Sequence, residues 1–210
     1  MTVNQTTNYL YMNWSKMNFK IKGIEKKLGF KLRRNTYVLG IDTATTTGLA
    51  ILETDNKSLK IKTSLFKLPI VKKTDELSDK FVEKLEFMLR SIRDFKKKEF
   101  GCKKANKTVL VLENSFLSFN PVTFGLLRML AGIIFAELFD NFEEIKIIFP
   151  MSARKIVGFK SQLKKGSKRE EKKKELIDFI NGIFETQETS DDITDAIILA
   201  LCGLREKTLQ

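Results

Sequence analysis

The chain has 210 residues, of which 42% are hydrophobic, enough for one domain of ordinary size with a substantial core. Its 38 Lys and Arg against 26 Asp and Glu make nucleic acid the first partner to expect, ahead of an anionic membrane surface, although a lysine-rich proteome would give the same charge without binding. Histidine is absent, which excludes Ser-His-Asp and Cys-His catalysis and His-ligated zinc.

Residues 1–35 are polar, basic and weakly patterned. They are predicted to form a basic N-terminal extension, with a short helix near Ile21 to Leu28. The extension is expected to be either an arm on nucleic acid or a tail. Residues 36–210 are predicted to form the single folded domain.

Apolar runs predict three strands after the extension. Tyr37–Asp42 is a continuous apolar run, typical of a strand buried on both faces. Two further runs, Gly48–Glu53 and Leu59–Leu68, follow short turns, so the three strands are expected to form an antiparallel meander. Apolar residues then recur every three or four positions from Thr74 to about Lys98, which predicts a helix.

The second half of the chain alternates strands and helices. Thr108–Glu113 is the predicted fourth strand, Pro121 opens a helix, and Ile145–Phe149 is the fifth strand. Two helices, at about Lys168–Phe184 and Ser190–Arg205, end the chain. The element order predicts one mixed α/β domain, with a five-stranded sheet flanked by helices.

The helix Val122–Phe139 is apolar almost all round, interrupted only by Arg128 and Glu137. Its length reaches the lower limit for a membrane span. A central Arg is costly in lipid, however, and the surrounding pattern is globular. A helix that is apolar on every side is otherwise buried on every side. This predicts a homodimer in which helix 122–139 faces the sheet on one side and a second subunit on the other.

Four carboxylates occupy positions suited to metal binding. Asp42 ends the first strand, Glu113 ends the fourth, and Asp192 and Asp195 share one face of the last helix because they lie three residues apart. Asp191 is turned about 100° away and is expected only to favour the helix dipole. Hard divalent cations prefer oxygen ligands, and hydrolysis of a phosphodiester by two metal ions needs a few converging acids. The set predicts two Mg²⁺ ions per site, with Mn²⁺ as a substitute.

Each acid also has an ordinary explanation. Asp42 can simply end a strand, and Asp192 and Asp195 can decorate a helix N-terminus. The strand-Asp-Thr-rich turn-Gly pattern of Asp42 to Gly48 also occurs in the sugar kinase and actin superfamily, where it holds phosphate. That alternative needs a second glycine-rich loop, and none is visible among the 11 glycines. Glu113 is the least ambiguous acid, because a charge at the end of a buried strand is usually paired or functional.

Taken together, three segments resemble the ribonuclease H-like superfamily and, within it, RuvC-type Holliday junction resolvases, nearest in character to divergent phage or mobile-element members. The segments are Gly40–Gly48, Leu112–Phe116 and Asp192–Ala196, and the resemblance spans about residues 36–206. It implies a metal-dependent homodimer that nicks two opposed strands of a four-way DNA junction, with Asp42, Glu113, Asp192 and Asp195 as metal ligands. Thr43-Ala44 departs from the Pro-Gly or Pro-Ser of many relatives.

The resemblance also implies further site residues. Lys168 matches a lysine near the scissile phosphate, and Phe116 matches an aromatic inserted at the junction point, with core packing as the alternative. Arg154–Gly158 looks like the family's basic-Val-Val-Gly segment, with the basic position shifted. The run 160–174 is rich in Lys and Arg and is expected to neutralise phosphates, unless it is a solvated helix face. The predicted DNA-binding residues are Phe116, Phe119, Arg154, Lys155, Lys160, Lys164, Lys165 and Arg169.

Other readings of the same pattern stay open. One is a nuclease of this fold that acts on other branched DNA or on structured RNA. Another is a junction-binding protein without cleavage activity. Retention of four acids speaks against the second, because an unpaired acid cluster is destabilising without a cation.

Cysteine usage and the start of the chain suggest the compartment. Cys102 and Cys202 lie far apart and fit no metal spacing, which indicates free thiols in a reducing environment. No apolar segment with a small-residue cleavage site is present near Met1, so a cytoplasmic location in a bacterial cell or a phage-infected host is predicted. Organelle targeting by residues 1–35 is the alternative, against which Glu25 and the few serines argue.

Overall fold

The computed structural model describes residues 15–44, 46–67, 77–100, 107–114, 121–164 and 166–206. Six strands and six α-helices occur in these ranges. The strands are β1 (Ser15–Lys20), β2 (Tyr37–Asp42), β3 (Thr46–Thr54), β4 (Ser58–Lys67), β5 (Thr108–Glu113) and β6 (Glu144–Ile148). The helices are α1 (Ile21–Leu28), α2 (Leu77–Phe100), α3 (Pro121–Leu138), α4 (Pro150–Ile156), α5 (Arg169–Phe184) and α6 (Asp191–Leu204).

The strands form one mixed sheet in the order β1-β4-β3-β2-β5-β6. Strands β2, β3 and β4 form the predicted antiparallel meander, while β5 runs parallel to β2 and β6 parallel to β5. The predicted α/β class and sheet arrangement are confirmed. The predicted count of five strands was wrong, because β1 adds a sixth strand antiparallel to β4.

The described part of segment 1–35 packs as a component of the domain. Strand β1 is an edge strand, and the predicted helix Ile21–Leu28 is present as α1. Ile21, Ile24 and Leu32 are buried in the main core. Glu25 is also buried, and it accepts a hydrogen bond from the Leu32 backbone N–H at 2.9 Å.

Two apolar layers cover the two faces of the sheet. One layer contains α6 with residues of α1 and α5, and the other contains residues of α2 and α3. Alternate residues of β2 serve the two layers, since Val38 faces the first and Leu39 the second. Helix α6 crosses β2 at Gly40, where a Cβ atom would lie 2.6 Å from the Ala200 nitrogen. This close crossing places the first turn of α6 beside the ends of the central strands.

Helix α3 confirms the predicted helix and has one buried and one exposed apolar side. Leu130, Ile134 and Leu138 are buried against the sheet layer. Met129, Phe135 and Phe139, which follows the helix, are exposed. Among the described residues, no helix is long and apolar enough to cross a membrane. The short helix α4, which opens at Pro150, was not predicted.

Candidate active site

The carboxyl ends of two parallel strands bring the first two predicted ligands together. Asp42 is the last residue of β2 and Glu113 the last of β5, and the neighbouring pair Ile41 and Leu112 are in register. Asp42 is only 6% exposed. Its carboxyl group makes a side-chain hydrogen bond with Glu113.

The N-terminus of α6 supplies the other acids. Ser190 caps the helix and accepts a hydrogen bond from the Ile193 N–H at 3.3 Å. A Cβ atom at Gly48 would lie 2.5 Å from the Asp192 carbonyl carbon, so a larger residue there would collide with the helix backbone. Gly48 thus allows the first turn of α6 to rest on β3, and this sets the position of Asp192.

These carboxylates line one open cleft of about 430 Å³. All four predicted ligands, Asp42, Glu113, Asp192 and Asp195, belong to it. Asp191, which was expected to turn away, also lines the cleft and forms an ion pair with Lys173. Within the described ranges, no group of three acidic side chains is arranged closely enough to coordinate one metal ion. The cleft gathers the oxygen donors that a hard cation prefers. Asp42 is hydrogen-bonded to Glu113, and Asp191 and Asp195 are paired with basic side chains.

Arg154 holds one of the predicted ligands. Its Nη2 donates to both carboxylate oxygens of Asp195 at 3.0 Å, and its Nε lies 3.3 Å from Oδ1. Both side chains are partly buried, at 29% and 23% exposure. Helix α4 is fixed against α6, since the Cys202 Sγ contacts the Ala153 carbonyl and Arg205 donates to the Ile156 carbonyl at 2.6 Å. This packing presents Arg154 to the acids from the side of α4.

Burial and mutual repulsion raise the pKa of the clustered acids. For Asp42, burial is the largest cause, followed by the hydrogen bond with Glu113 and the charges of the other acids, and together they raise its pKa to about 11. Burial and the charge of Asp191 raise the pKa of Asp192. Burial also raises the pKa of Asp195, although Arg154 opposes the shift. The cluster therefore disfavours its own full ionisation, which a bound cation would favour.

The structure is similar to Thermus thermophilus RuvC in complex with a Holliday junction substrate, with a TM-score of 0.55 at 15% identity over 80% of this chain and 91% of that one. The chain has the RuvC fold. A second Thermus thermophilus RuvC structure gives a TM-score of 0.49 at 16% identity, covering 79% of this chain and 92% of that chain. Ydc2, the yeast mitochondrial Holliday junction resolvase, gives a TM-score of 0.48 at 12% identity, covering 85% of this chain and 82% of that chain. No protein-family model and no curated protein matches the sequence.

On this RuvC fold, helix α5 forms a basic wall of the cleft. Arg169, Lys172 and Lys173 line the cleft together with Leu176. Their spacing of three and four residues puts them on one helix face. The same spacing is visible in the basic run 160–174 of the sequence. The site prediction included Arg169 but omitted Lys172 and Lys173, since the sequence does not show which face of α5 turns toward the acids.

The remaining predicted residues lie elsewhere. Lys168 is the exposed N-cap residue of α5 and is not among the residues that line the cleft. Lys155, Lys160 and Lys164 are exposed outside the cleft. Phe116, Phe119 and Lys165 fall outside the described residues.

Proposed function

We propose that this protein is a metal-dependent, structure-selective endonuclease that resolves four-way DNA junctions by nicking two opposed strands. One observation carries the proposal. Four carboxylates from β2, β5 and α6 line one cleft together with the basic face of α5. The likeness to a RuvC structure that contains a junction substrate supports the choice of DNA.

The residues fit a site for divalent metal ions. Asp42, Glu113, Asp192 and Asp195 offer only oxygen donors, and burial together with the neighbouring acids raises the pKa of Asp42. We assign these four residues as the ligands of two Mg²⁺ ions, for which Mn²⁺ would substitute. When bound, such ions activate the attacking water and stabilise the leaving oxygen of a phosphodiester.

The protein's own groups position the DNA strand. Arg169, Lys172 and Lys173 bind phosphates that enter the cleft. Lys168, at the start of the same helix, neutralises charge near the scissile phosphate. We assign the phosphates of the flanking duplex to four further lysines, Lys155, Lys160, Lys164 and Lys165.

We assign Phe116 and Phe119 to the junction centre, the role that the resemblance implies for Phe116 and that Phe119 would share. They follow the strand that ends at Glu113 in the chain. Splayed bases at a crossover present flat faces on which aromatic side chains stack. This assignment places the stacking residues within a few positions of a metal ligand in sequence.

A homodimer would bring two such clefts to one junction. The exposed side of α3 carries Gly125, Met129, Gly132 and Phe135 at helical spacing, followed by Phe139. We infer that this stripe pairs with the same stripe of a second copy, since a two-fold interface uses one surface patch twice. The two-fold axis of the dimer would then match that of the junction and place one active site on each of two opposed strands.

The experiment is cleavage of synthetic DNA. A four-way junction is incubated with the protein and Mg²⁺ beside a matched duplex, a flap and a three-way junction, and the series is repeated with Asp42→Asn. Symmetric nicks in the four-way junction that vanish in the variant support the proposal. Tight junction binding without nicks in Mg²⁺ or Mn²⁺ indicates a non-cleaving junction-binding protein, while preference for another branched DNA, or for structured RNA in a parallel series, indicates a different nuclease.

A further inference from the structure

The ion pair between Arg154 and Asp195 joins a residue predicted to bind DNA to a residue predicted to bind metal. We propose that Arg154 is an internal counter-ion, which occupies Asp195 while the cleft holds no metal and transfers to a DNA phosphate when a divalent cation takes that carboxylate. The proposal rests on the proposed function, since it describes how the same site is loaded with metal and substrate.

The geometry puts Arg154 in competition with a metal ion. Its guanidinium bonds both oxygens of Asp195, and these are the atoms that a cation in this cleft would use. A divalent ion held by the same carboxylate would repel the guanidinium. Both side chains are more than two-thirds buried, so that repulsion is only weakly screened.

The position of Arg154 lets the side chain move while its helix stays fixed. Ala153 and Val157 anchor α4 in the core, and Cys202 and Arg205 hold its backbone carbonyls. Arg154 also lines the same cleft as Arg169 and the lysines of α5. A guanidinium released from Asp195 therefore already faces the space that the phosphate enters.

Arginine suits both partners in this exchange. Its planar fork forms two parallel hydrogen bonds with a carboxylate or with a phosphate, which a lysine ammonium cannot reproduce. The neighbouring acid Asp191 already pairs with Lys173, so the phosphate is the partner that the substrate would bring. Metal and DNA should consequently bind cooperatively through Arg154.

The first test is metal binding without DNA. Mn²⁺ is titrated by isothermal calorimetry into the wild type, Arg154→Gln and Lys172→Gln, which removes the same charge from the same cleft without breaking the Asp195 pair. We expect Arg154→Gln to bind Mn²⁺ at least about fivefold more tightly than the wild type, and Lys172→Gln to change affinity less than about twofold. Equal tightening in both variants, or none in Arg154→Gln, would overturn the competition. Circular dichroism verifies that each variant is folded.

The second test measures the transfer to phosphate. Affinity for a four-way junction is compared in EDTA and in Ca²⁺, which takes the same kind of oxygen ligands. The wild type should gain affinity when Ca²⁺ is added, and Arg154→Gln should lose most of that gain, with Arg154→Lys in between. An undiminished gain in Arg154→Gln would overturn the transfer. If the wild type does not bind four-way junctions at all, the proposed function is wrong as well. The Mn²⁺ titration tests the competition between Arg154 and the metal ion independently of that outcome.

Discussion

At the scale of single residues, the candidate site depends on a buried acid that resists ionisation. Asp42 lies at the end of a central strand with Glu113 against it and two more acids nearby, and its pKa is raised to about 11. A cation in the cleft would relieve this repulsion. Under the proposed function, the metal-free protein would be less stable because of Asp42, and the same repulsion would favour binding of a metal ion.

Replacing Asp42 with Asn should stabilise the metal-free protein, increasingly so as the pH rises. The folded pKa lies above the ordinary value of 3.8, so the stability contributed by protonated Asp42 is fully present below about pH 3.8 and is lost as the pH rises toward 11. Each pH unit in that window costs the wild type at most about 1.4 kcal/mol, and Asn removes this loss. Denaturation in EDTA at about pH 5 and about pH 8 should show a gap in stability that widens with pH.

Asp55→Asn is the matched control for that experiment. Hydrogen bonds from Ser58 and Lys57 lower the pKa of Asp55 to about 2, so its contribution is present above pH 3.8 and is lost only as the pH falls through about 2. The control should lower stability by a similar amount at both pH values. A gap for Asp42→Asn that does not change with pH would contradict the account of its burial.

Gly48 should matter through the backbone it touches. Gly48→Ala would push the first turn of α6 away from β3, since the added Cβ collides with the Asp192 carbonyl group. We expect folded protein with junction cleavage reduced by about a hundredfold, because misplaced catalytic groups lose their alignment. Gly182→Ala, on α5 with nothing within 4 Å, should leave cleavage unchanged; equal losses in both variants would argue against a positioning role.

At the scale of elements, the basic face of α5 should set the salt dependence of DNA binding. The double variant Arg169→Gln with Lys172→Gln removes two cations from the cleft wall and should reduce the slope of log affinity against log salt by about 2. The double variant Lys22→Gln with Lys26→Gln removes two exposed charges from α1 instead. A slope that falls as much in the α1 variant would assign the effect to net charge and not to α5.

The exposed side of α3 should hold the dimer together. Phe135→Glu places a charge in the middle of the apolar stripe and should convert the dimer to a monomer by analytical ultracentrifugation. Met151→Glu changes an equally apolar and more exposed residue on α4, and should leave the dimer intact. Dissociation by Met151→Glu, with persistence of the dimer in Phe135→Glu, would move the interface to another face.

The sequence predicted the buried elements that have a continuous or periodic apolar pattern. Strands β2 and β5 were recognised because both faces are buried, and α6 because its apolar stripe follows Asp192. Strand β1 was missed because it lies at the sheet edge and only Met17 and Phe19 are partly buried. Helix α4 has seven residues, too few to show a period.

The candidate site was predictable only in part, for physical reasons. Strand ends in a parallel pair must meet, so Asp42 and Glu113 could be placed together from their position in the sequence. The contact between Arg154 and Asp195 could not be predicted, because it depends on how α4 packs against α6, and the two residues lie 41 positions apart in the chain. The cleft position of Lys172 likewise depends on the rotation of α5 about its axis.

At the scale of the whole molecule, the charge distribution is the unifying feature. The chain has a net charge of +12, yet five of its acids line one cleft. Under the proposed function, the basic surface would attract a polyanion, and the acids of the cleft would bind a cation. A two-fold dimer would present two such clefts to one DNA molecule.

Cleavage of a supercoiled plasmid that extrudes a cruciform tests this account most directly. A dimer with two metal-loaded clefts should nick opposed strands within one binding event, so in Mg²⁺ the plasmid should convert straight to linear DNA with both cuts at the cruciform base. The same protein with Asp42→Asn should leave the plasmid supercoiled. Accumulation of singly nicked circles, cuts away from the cruciform, or full activity in Asp42→Asn would contradict the account.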